Sequence, residues 1–294
     1  MVIVKIAGGL GNQMFMAAYA KMLQMRHYKV SLDVESFFRY GQNCVSKSRE
    51  SCMREFTLED FDINIPFLKP SNSIYRYMIG GKKCGFVVNV LKKTGLYHYY
   101  DWSDGKYSNR YVRDMVNIKD HSYVYGYFQN EKFFSRYESE IRKMFTPKKG
   151  LRLPAELERQ LNKSYPLVAV HFRRTDYKSA GIPMMGLDYY EKALTYMKEK
   201  IGNFNIFIFS DDSTWVKENW NLKEYPCFFA DDYHKDKDYE EMLWMAKCDH
   251  NIIANSSFSW WGAWLNPNND KIVIAPREWK KHQQWSVPNG WVQL

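Results

Sequence analysis

Short apolar stretches alternate with segments of helical periodicity along the chain. In the first half, residues 2–6 and 28–33 are predicted strands, because each is a short, largely apolar run. Between them, a glycine-rich turn at 7–12 leads into a helix predicted over 13–27, where apolar residues recur every three or four positions. Residues 40–120 carry no periodicity that assigns an element. The alternation predicts an α/β fold with a mainly parallel sheet.

A cluster of breakers near the middle of the chain indicates a domain boundary. Pro147, Gly150 and Pro154 interrupt the pattern, so one domain is predicted over residues 1–150 and another over 151–294. Regular elements resume beyond the boundary. The predicted strands are 167–172, 205–209, 251–254 and 271–275, and the predicted helices are 188–200, 213–220, 239–248 and a Trp-rich helix after residue 259.

Three predicted strands of the second half stop abruptly at polar residues. The polar residues are His171, Arg173, Arg174 and Asp176 after the first strand, Ser210, Asp211 and Asp212 after the second, and Asn255, Ser256 and Ser257 after the third. Ligands of open α/β sheets bind beyond the carboxyl ends of the strands. Three polar strand ends on one sheet therefore predict a pocket.

The arginine pair suggests what this pocket binds. An arginine at a strand end presents a planar, permanently charged fork that matches two phosphate oxygens. Asp176 is spaced to orient the Arg173 guanidinium or to accept a proton. A surface Arg–Asp pair of little energetic weight is the alternative, and the preceding His171 and apolar strand favour ligand binding.

Two further segments have both a structural and a functional interpretation. The glycine-rich loop at 8–12 leads into a helix N-terminus, which favours an anion, but it is equally consistent with a tight turn. It matches neither GxGxxG nor GxxxxGK[ST], so neither a dinucleotide fold nor a P-loop is supported. Residues 255–257 are likewise ordinary N-cap types. Trp260, Trp261 and Trp264 fall at helical spacing and are expected in the core.

Composition excludes several classes of protein. The 294 residues are 45% hydrophobic and 26% charged, so the chain can form real cores and is not intrinsically disordered. No apolar run approaches the ~18 residues of a membrane span, and the N-terminus lacks a basic leader. A cytoplasmic protein is therefore expected. The cysteines, without CxxC or zinc spacing, are expected to be free thiols: Cys44, Cys52, Cys84, Cys227 and Cys248.

Two DxD sequences raise the question of a metal. Asp60 and Asp62 form one, and Asp236 and Asp238 form the other. Neither follows a convincing apolar strand, so both are interpreted as solvated turns. No metal site is predicted, and arginine and helix N-termini are the expected counter-charges for a diphosphate.

Five segments occur in an order that resembles a known family. They are Gly8-Gly-Leu-Gly-Asn-Gln-Met-Phe15, Gly126-Tyr-Phe-Gln-Asn-Glu-Lys-Phe-Phe134, His171-Phe-Arg-Arg-Thr-Asp-Tyr177, Phe209-Ser-Asp-Asp212 and Asn255-Ser-Ser-Phe-Ser-Trp-Trp-Gly-Ala-Trp-Leu-Asn266. Together they closely resemble the α-1,2-fucosyltransferases of glycosyltransferase family 11. The resemblance implies a GT-B architecture of two facing Rossmann-like domains with the active site in the cleft. It also implies an inverting, metal-independent transfer, without a cofactor, of fucose from GDP-β-L-fucose to the 2-hydroxyl of a terminal galactose.

The resemblance also implies roles for individual residues. Residues 1–150 would form the acceptor side and 151–294 the GDP-fucose side. Arg173 would bind the β-phosphate, Arg174 would support the loop or the nucleotide, and Asp176, or secondly His171, would act as the base, if a strong base is needed at all. The implied GDP-fucose contacts further include Gly9, Gly11, Asn12, Gln13, Asp211, Asp212, Asn255, Ser256 and Ser257. Many members have glycine where this chain has Thr175, a difference that is not expected to abolish activity.

The charge distribution bears on partners. Residues 1–150 carry 24 basic and 14 acidic side chains, a net charge of +10, whereas residues 151–294 carry 18 and 19, a net charge of −1. Lysine pairs occur at 82–83, 92–93 and 148–149. They suggest peripheral contact with an anionic membrane that carries a lipid-linked acceptor. The alternative is that these lysines only keep the protein soluble. A nucleic-acid binder is disfavoured because the arginine pair lies in the net-negative half. A non-catalytic carbohydrate-binding protein and a GDP-fucose transferase of another linkage remain alternatives.

Overall fold

The computed structural model describes residues 1–39, 55–68, 90, 93–104, 107, 110–221, 224–280, 283–284 and 287–294. The chain divides into two compact units, Met1–Lys149 and Gly150–Leu294.

The first unit is built on one parallel sheet. Its strands are β1 (Val2–Lys5), β2 (Val30–Asp33), β3 (Phe67–Leu68), β4 (His98–Trp102) and β5 (Ser122–Gly126). Its helices are α1 (Leu10–Met25), α2 (Glu35–Arg39) and α3 (Glu138–Met144), with 3₁₀ turns at Leu58–Asp60, Arg113–Met115, Glu131–Phe133 and Ser135–Tyr137. The described strands lie in the order β3-β2-β1-β5-β4, and each neighbouring pair is parallel.

Helix α1 anchors the core of this unit. It begins at Leu10, three residues before its predicted start, because Gly9 serves as N-cap and part of the glycine-rich loop is already helical. It ends before His27, which takes a positive φ of 68°. The Tyr19 ring stacks on Phe128 with 3.7 Å between centroids, and the Tyr19 hydroxyl donates to the Met115 carbonyl. Burial of these aromatic side chains accounts for part of the chain's high aromatic content.

The second unit is a doubly wound α/β layer. Its strands are β6 (Leu167–Phe172), β7 (Asn205–Ser210), β8 (Cys227–Phe229), β9 (His250–Ile252), β10 (Val273–Ala275), β11 (Glu278–Lys280), β12 (Gln283–Gln284) and β13 (Val292–Gln293). Its helices are α4 (Ala155–Leu161), α5 (Thr175–Ala180), α6 (Leu187–Ile201), α7 (Ser213–Asn219), α8 (Asp238–Met245) and α9 (Ser257–Leu265), with a 3₁₀ turn at Ala230–Asp232. The main sheet has the order β13-β10-β9-β6-β7-β8, and β11 pairs with β12 antiparallel.

Strand β6 shows why its sequence is apolar without alternation. Val168 and Val170 belong to the core on one face of the sheet, whereas Leu167 and Ala169 belong to the core on the other face. A parallel sheet covered on both faces buries every side chain of a central strand. The strand predicted over 167–172 is confirmed.

The predicted α/β class is confirmed: two successive units each contain a parallel sheet with helices. Most predicted elements of the second unit are found with ends shifted by one to three residues. The tryptophans of α9 are buried as expected, with Trp260 and Trp261 at 0% exposure. In the described part of the chain, Cys227 and Cys248 are free thiols, and Cys44, Cys52 and Cys84 lie outside it. No described helix is long and apolar enough to cross a bilayer.

Candidate functional site

The three polar strand ends of the second unit lie side by side. Strands β9, β6 and β7 are adjacent and parallel, so their carboxyl ends meet at one edge of the sheet. Two contacts join the three ends. The Arg174 backbone N–H donates to Asp211 Oδ1 at 2.8 Å, and the Tyr177 hydroxyl donates to the Asn255 carbonyl at 2.6 Å. The polar residues predicted between His171 and Ser257 therefore lie at one site.

Asp211 holds the arginine loop in place. Its carboxylate accepts from the backbone N–H groups of Arg174 and Thr175, and from the Thr175 hydroxyl at 2.7 Å. Its Oδ2 also lies 3.4 Å from Arg173 Nε. Since α5 begins at Thr175 without a side-chain cap of its own, the carboxylate from the neighbouring strand satisfies N–H groups at this helix start.

Arg174 is clamped between a carboxylate and an indole. Its Nε lies 3.3 Å from Asp212 Oδ2, and its guanidinium carbon lies 3.2 Å from the centroid of the Trp215 ring. Asp212 is also the N-cap of α7 and accepts from the Trp215 backbone N–H. Asp211 and Asp212 are both engaged with the arginine loop and so position its arginines, and their predicted contact with GDP-fucose stays a prediction. Stacked and paired guanidinium groups are held at a fixed orientation.

Trp215 and Tyr177 also lie in this site, although no role was predicted for either. Trp215 follows the N-cap Asp212 by three residues, a spacing that places it in the first turn of α7 beside Asp212. Tyr177 lies in the quoted motif itself, and the Arg173 guanidinium carbon is 5.9 Å from its ring centroid.

The third strand end is tightly tied to the protein. Asn255 is 1% exposed, and its side-chain amide donates to the Pro183 carbonyl. Ser256 takes the N-cap position of α9 without a side-chain capping hydrogen bond. Asn255 thus shapes the wall of the site, whereas Ser257, at the first helical position, is only partly buried.

The two candidate bases differ in accessibility. His171 is only 3% exposed within β6, where its ring stacks near Phe258 with 5.8 Å between centroids. Its carbonyl accepts from the Tyr190 hydroxyl. Asp176 lies in the first turn of α5, and its side chain lies outside the described part of the structure. Burial argues against direct proton exchange between His171 and a substrate.

In the first unit, the glycine-rich loop and the segment after β5 meet at one sheet edge. Gly8 has a φ of +80°, and a Cβ there would lie 2.9 Å from Asn12 Nδ2, so glycine is required. The Gln129 side-chain amide donates to Asn12 Oδ1 at 2.8 Å. This hydrogen bond joins the family motif at 8–15 to the family motif at 126–134. Gln129 received no role from the sequence, although it lies in one of these motifs.

Gln13 holds the glycine-rich loop against the 55–57 segment. Its side chain is 0% exposed, and its amide nitrogen donates to the carbonyls of Gly8 and Glu55, at 3.0 and 2.7 Å. Its amide oxygen accepts from the Thr57 backbone N–H. These three hydrogen bonds give Gln13 a structural role, and its predicted contact with GDP-fucose stays a prediction. Gly9 and Gly11 form the helix start beside it.

Three of the four DxD aspartates are exposed, and Asp60 is partly buried. Asp60 ends a 3₁₀ turn and Asp62 is exposed. Asp236 lies 3.0 Å from the His234 ring nitrogen, and Asp238 lies 3.9 Å from Lys235 Nζ. Among the described residues, no group of three or more His, Cys, Asp or Glu side chains could hold a metal ion.

The arrangement defines an anion-binding α/β unit: two oriented guanidinium groups at the carboxyl edge of a parallel sheet, next to two helix starts. Such a unit can neutralise charge on a diphosphate. Residues 1–293 match the family model described as Glycosyl transferase family 11, and the chain belongs to that family.

Three curated relatives fall in the same group. The chain is 31% identical to the O-antigen biosynthesis glycosyltransferase WbnK of Escherichia coli, over 98% of this chain and 99% of the relative. It is 28% identical to an alpha-1,2-colitosyltransferase of Escherichia coli, over 100% and 98%. It is 25% identical to galactoside alpha-(1,2)-fucosyltransferase 1 of Saimiri sciureus, over 49% of this chain and 42% of the relative. The protein is therefore a glycosyltransferase of family 11.

Proposed function

We propose that this protein transfers L-fucose from GDP-β-L-fucose to the 2-hydroxyl of a terminal galactose, with inversion at the sugar carbon. The observation that supports it is the Arg173–Arg174 loop, held by Asp211 at the centre of the sheet edge. The galactoside alpha-(1,2)-fucosyltransferase among the relatives and the resemblance of the five motifs support fucose as the sugar.

In the proposed mechanism, the main electrostatic demand is the negative charge that develops on the departing GDP. The Arg173 fork contacts the β-phosphate and offsets that charge as the bond to fucose breaks. Arg174, clamped by Asp212 and Trp215, fixes the loop from which Arg173 projects. The acceptor oxygen attacks from the opposite side and loses its proton. Asp176 is the proposed proton acceptor, because His171 is buried.

The proposal includes neither a metal nor a cofactor. Two guanidinium groups supply the positive charge that a divalent ion supplies to a diphosphate in other transferases. The exposed carboxylates of Asp236 and Asp238 form surface pairs with His234 and Lys235, which supports the interpretation of this DxD sequence as a solvated turn.

A colitosyl donor is the second candidate. The alpha-1,2-colitosyltransferase matches the whole chain, whereas the fucosyltransferase matches about half of it. Colitose differs from fucose by lacking the 3-hydroxyl, so both donors would present the same diphosphate to the arginine loop.

A donor and acceptor matrix tests both candidates. The protein is incubated with GDP-fucose or GDP-colitose and with lactose, N-acetyllactosamine or galactosyl-β-1,3-N-acetylgalactosamine, and the product linkage is mapped by NMR. We expect an α-1,2-fucosylgalactose product. Faster transfer of colitose than of fucose would show that colitose is the donor sugar. A product with another linkage would reject the 2-hydroxyl as the acceptor position. Binding of glycans without transfer from either donor would reject the proposed transferase activity.

We further infer peripheral contact with an anionic membrane through the basic first half. Lys93, Lys148 and Lys149 are exposed, and Lys82, Lys83 and Lys92 lie outside the described residues. Each basic group near such a surface contributes about 1 kcal/mol. Co-sedimentation should require anionic liposomes and should weaken when Lys148 and Lys149 become Gln. Equal recovery with neutral and anionic liposomes would reject this contact.

A further inference from the structure

A row of polar side chains crosses the carboxyl edge of the first sheet. Asp33 on β2 pairs in register with Lys5 on β1, and Tyr125 on β5 pairs in register with Asp101 on β4. Lys5 and Tyr125 lie on the two middle strands and connect these pairs, because Lys5 Nζ lies 4.2 Å from the centroid of the Tyr125 ring. In-register partners on neighbouring parallel strands project from the same face. The four side chains therefore form one continuous row.

Aromatic rings extend this row in two directions. One step earlier on the same face, the Tyr99 and Tyr123 rings stack with 5.8 Å between centroids and 10° between planes. Just beyond the strand end, the Tyr127 ring lies 6.3 Å from the Tyr125 ring. We refer to Lys5, Tyr99, Asp101, Tyr125 and Tyr127 as the aromatic–carboxylate patch.

Buried hydrogen bonds fix the floor of the patch. The Tyr123 hydroxyl, in a ring only 1% exposed, donates to Asp33 Oδ2 at 2.6 Å. The outer part is accessible, since Tyr99 is 40% exposed and Asp101 is exposed. The Tyr99 hydroxyl donates to Asp101 Oδ2 at 3.3 Å, and the Ser103 backbone N–H and hydroxyl both donate to Asp101 Oδ1. A rigid base thus carries an accessible ring beside an accessible carboxylate.

The chemistry of the patch matches an uncharged, polyhydroxylated ligand. Aromatic rings offer flat apolar faces with polar hydroxyls at their edges, which suits a pyranose that has one C–H face and a rim of hydroxyls. Asp101 accepts hydrogen bonds from hydroxyl donors. The row contains two carboxylates, those of Asp33 and Asp101, and the single Lys5 ammonium, so its net charge is negative and repels a phosphate. The charge balance favours a neutral sugar over a nucleotide.

The opposite face of β4 contrasts with this patch. There His98, Tyr100 and Trp102 stack along the strand, and Trp102 packs edge-to-face against Phe128 in the core around α1. Packing explains the aromatic residues on that face. It does not explain an exposed tyrosine beside an exposed carboxylate on the other.

We propose that the aromatic–carboxylate patch is a saccharide subsite that holds the terminal galactose of the acceptor. This inference rests on the proposed function and gives its acceptor a location in the first unit. Asp101 hydrogen-bonds sugar hydroxyls, the Tyr99 and Tyr125 rings lie against the C–H face, and Lys5 holds the Tyr125 ring in position. Lys5, Asp101 and Tyr125 lie in the last two residues of their parallel strands, at the carboxyl edge where α/β sheets bind ligands.

Kinetic and binding measurements on three variants test the subsite. Asp101→Asn keeps Oδ1 for the Ser103 turn but removes the charge, and Tyr99→Ala removes the exposed ring. Tyr125→Phe keeps the ring that the proposal uses, so its acceptor KM should stay within about twofold of the wild type, and a tenfold rise would contradict the use of the Tyr125 ring alone. Tyr111→Ala is the matched control, because Tyr111 is 39% exposed in the same unit and lies outside the patch. Saturation-transfer NMR with lactose, N-acetyllactosamine and galactosyl-β-1,3-N-acetylgalactosamine, in the presence of GDP, reports binding without turnover.

We expect Asp101→Asn to raise the acceptor KM about tenfold, the size typical of losing one hydrogen bond to a charged group. Tyr99→Ala should raise it several-fold and weaken saturation transfer to galactose protons, while the GDP signals, the GDP-fucose KM and the control variant stay as in the wild type. Circular dichroism confirms folding. Unchanged acceptor KM and galactose signals in Asp101→Asn and Tyr99→Ala would overturn the subsite and leave the proposed function standing. Absence of transfer by the wild-type protein to every galactoside would overturn the proposed function and the subsite together.

Discussion

The two sheet edges of this protein share a geometry and differ in chemistry. Both lie at the carboxyl ends of parallel strands. The edge of the second unit presents two guanidinium groups, each next to an aspartate. The edge of the first unit presents amides, tyrosine rings and a row with one ammonium between two carboxylates.

The difference shows how one architecture serves two requirements. An arginine held by a carboxylate keeps its direction while retaining spare N–H donors for an anion. Neutral amides and phenols instead recognise hydroxyls, for which a strong local charge offers little. Under the proposed function, the first arrangement serves the diphosphate and the second serves the galactose.

Of the changes at the sheet edge of the second unit, removal of the Arg173 side chain should reduce the transfer rate most. We expect kcat of Arg173→Ala to fall by about 10²–10³-fold, because the charge on the leaving group loses its neutralising fork. Arg173→Lys should not restore the rate, since an ammonium cannot match two oxygens with a planar fork. Steady-state kinetics measure this. Arg159→Ala is the control, because that arginine is a surface residue with 64% of its side chain exposed. Near-native turnover by folded Arg173→Ala would refute the role.

The positioning role of Asp211 predicts a smaller loss with a different signature. Asp211→Asn keeps one acceptor for the loop but loses the charge beside Arg173, so kcat should fall by about 10–10²-fold, less than removing the fork itself. The KM for the acceptor should not change. A variant that loses thermal stability while retaining kcat would show that Asp211 serves only the fold.

Gln13 tests whether the loop of the first unit is structural. Gln13→Ala leaves the buried Thr57 N–H and the more accessible Gly8 and Glu55 carbonyls without this partner, so unfolding free energy should fall by about 1–3 kcal/mol. Urea denaturation measures this, and titration calorimetry should show unchanged GDP affinity. Weakened GDP binding by a variant of unchanged stability would support the ligand contact of Gln13 that the sequence predicts.

A chelator should not change the activity, because neither sheet edge is proposed to hold a metal ion. Excess EDTA is expected to leave the transfer rate unchanged within error, because guanidinium groups supply the counter-charge. Asp60→Asn and Asp236→Asn should be equally silent. If EDTA abolished activity and Mn²⁺ restored it, one of the DxD sequences would be identified as a metal site.

The sequence by itself predicted features that depend on local pattern and on motifs. The strand over 167–172, the arginine pair at its end and the buried tryptophans of α9 follow from periodicity and from the change from apolar to polar residues. The family follows from five ordered motifs. Adjacency of the three strand ends was also predictable, because parallel strands share a carboxyl edge.

Only the tertiary structure decided how individual polar side chains are used. Gln13, Asp211 and Asp212 are polar motif residues that the sequence could equally assign to ligand or to protein, and their partners lie 44, 37 and 38 positions away along the chain. The patch around Asp101 depends on the register of β4, β5 and β1, which brings Lys5 and Asp101 into one row. Hydrogen-bond partners distant in sequence are chosen by the fold, because each buried polar group must be satisfied by whatever the packing places within about 3 Å.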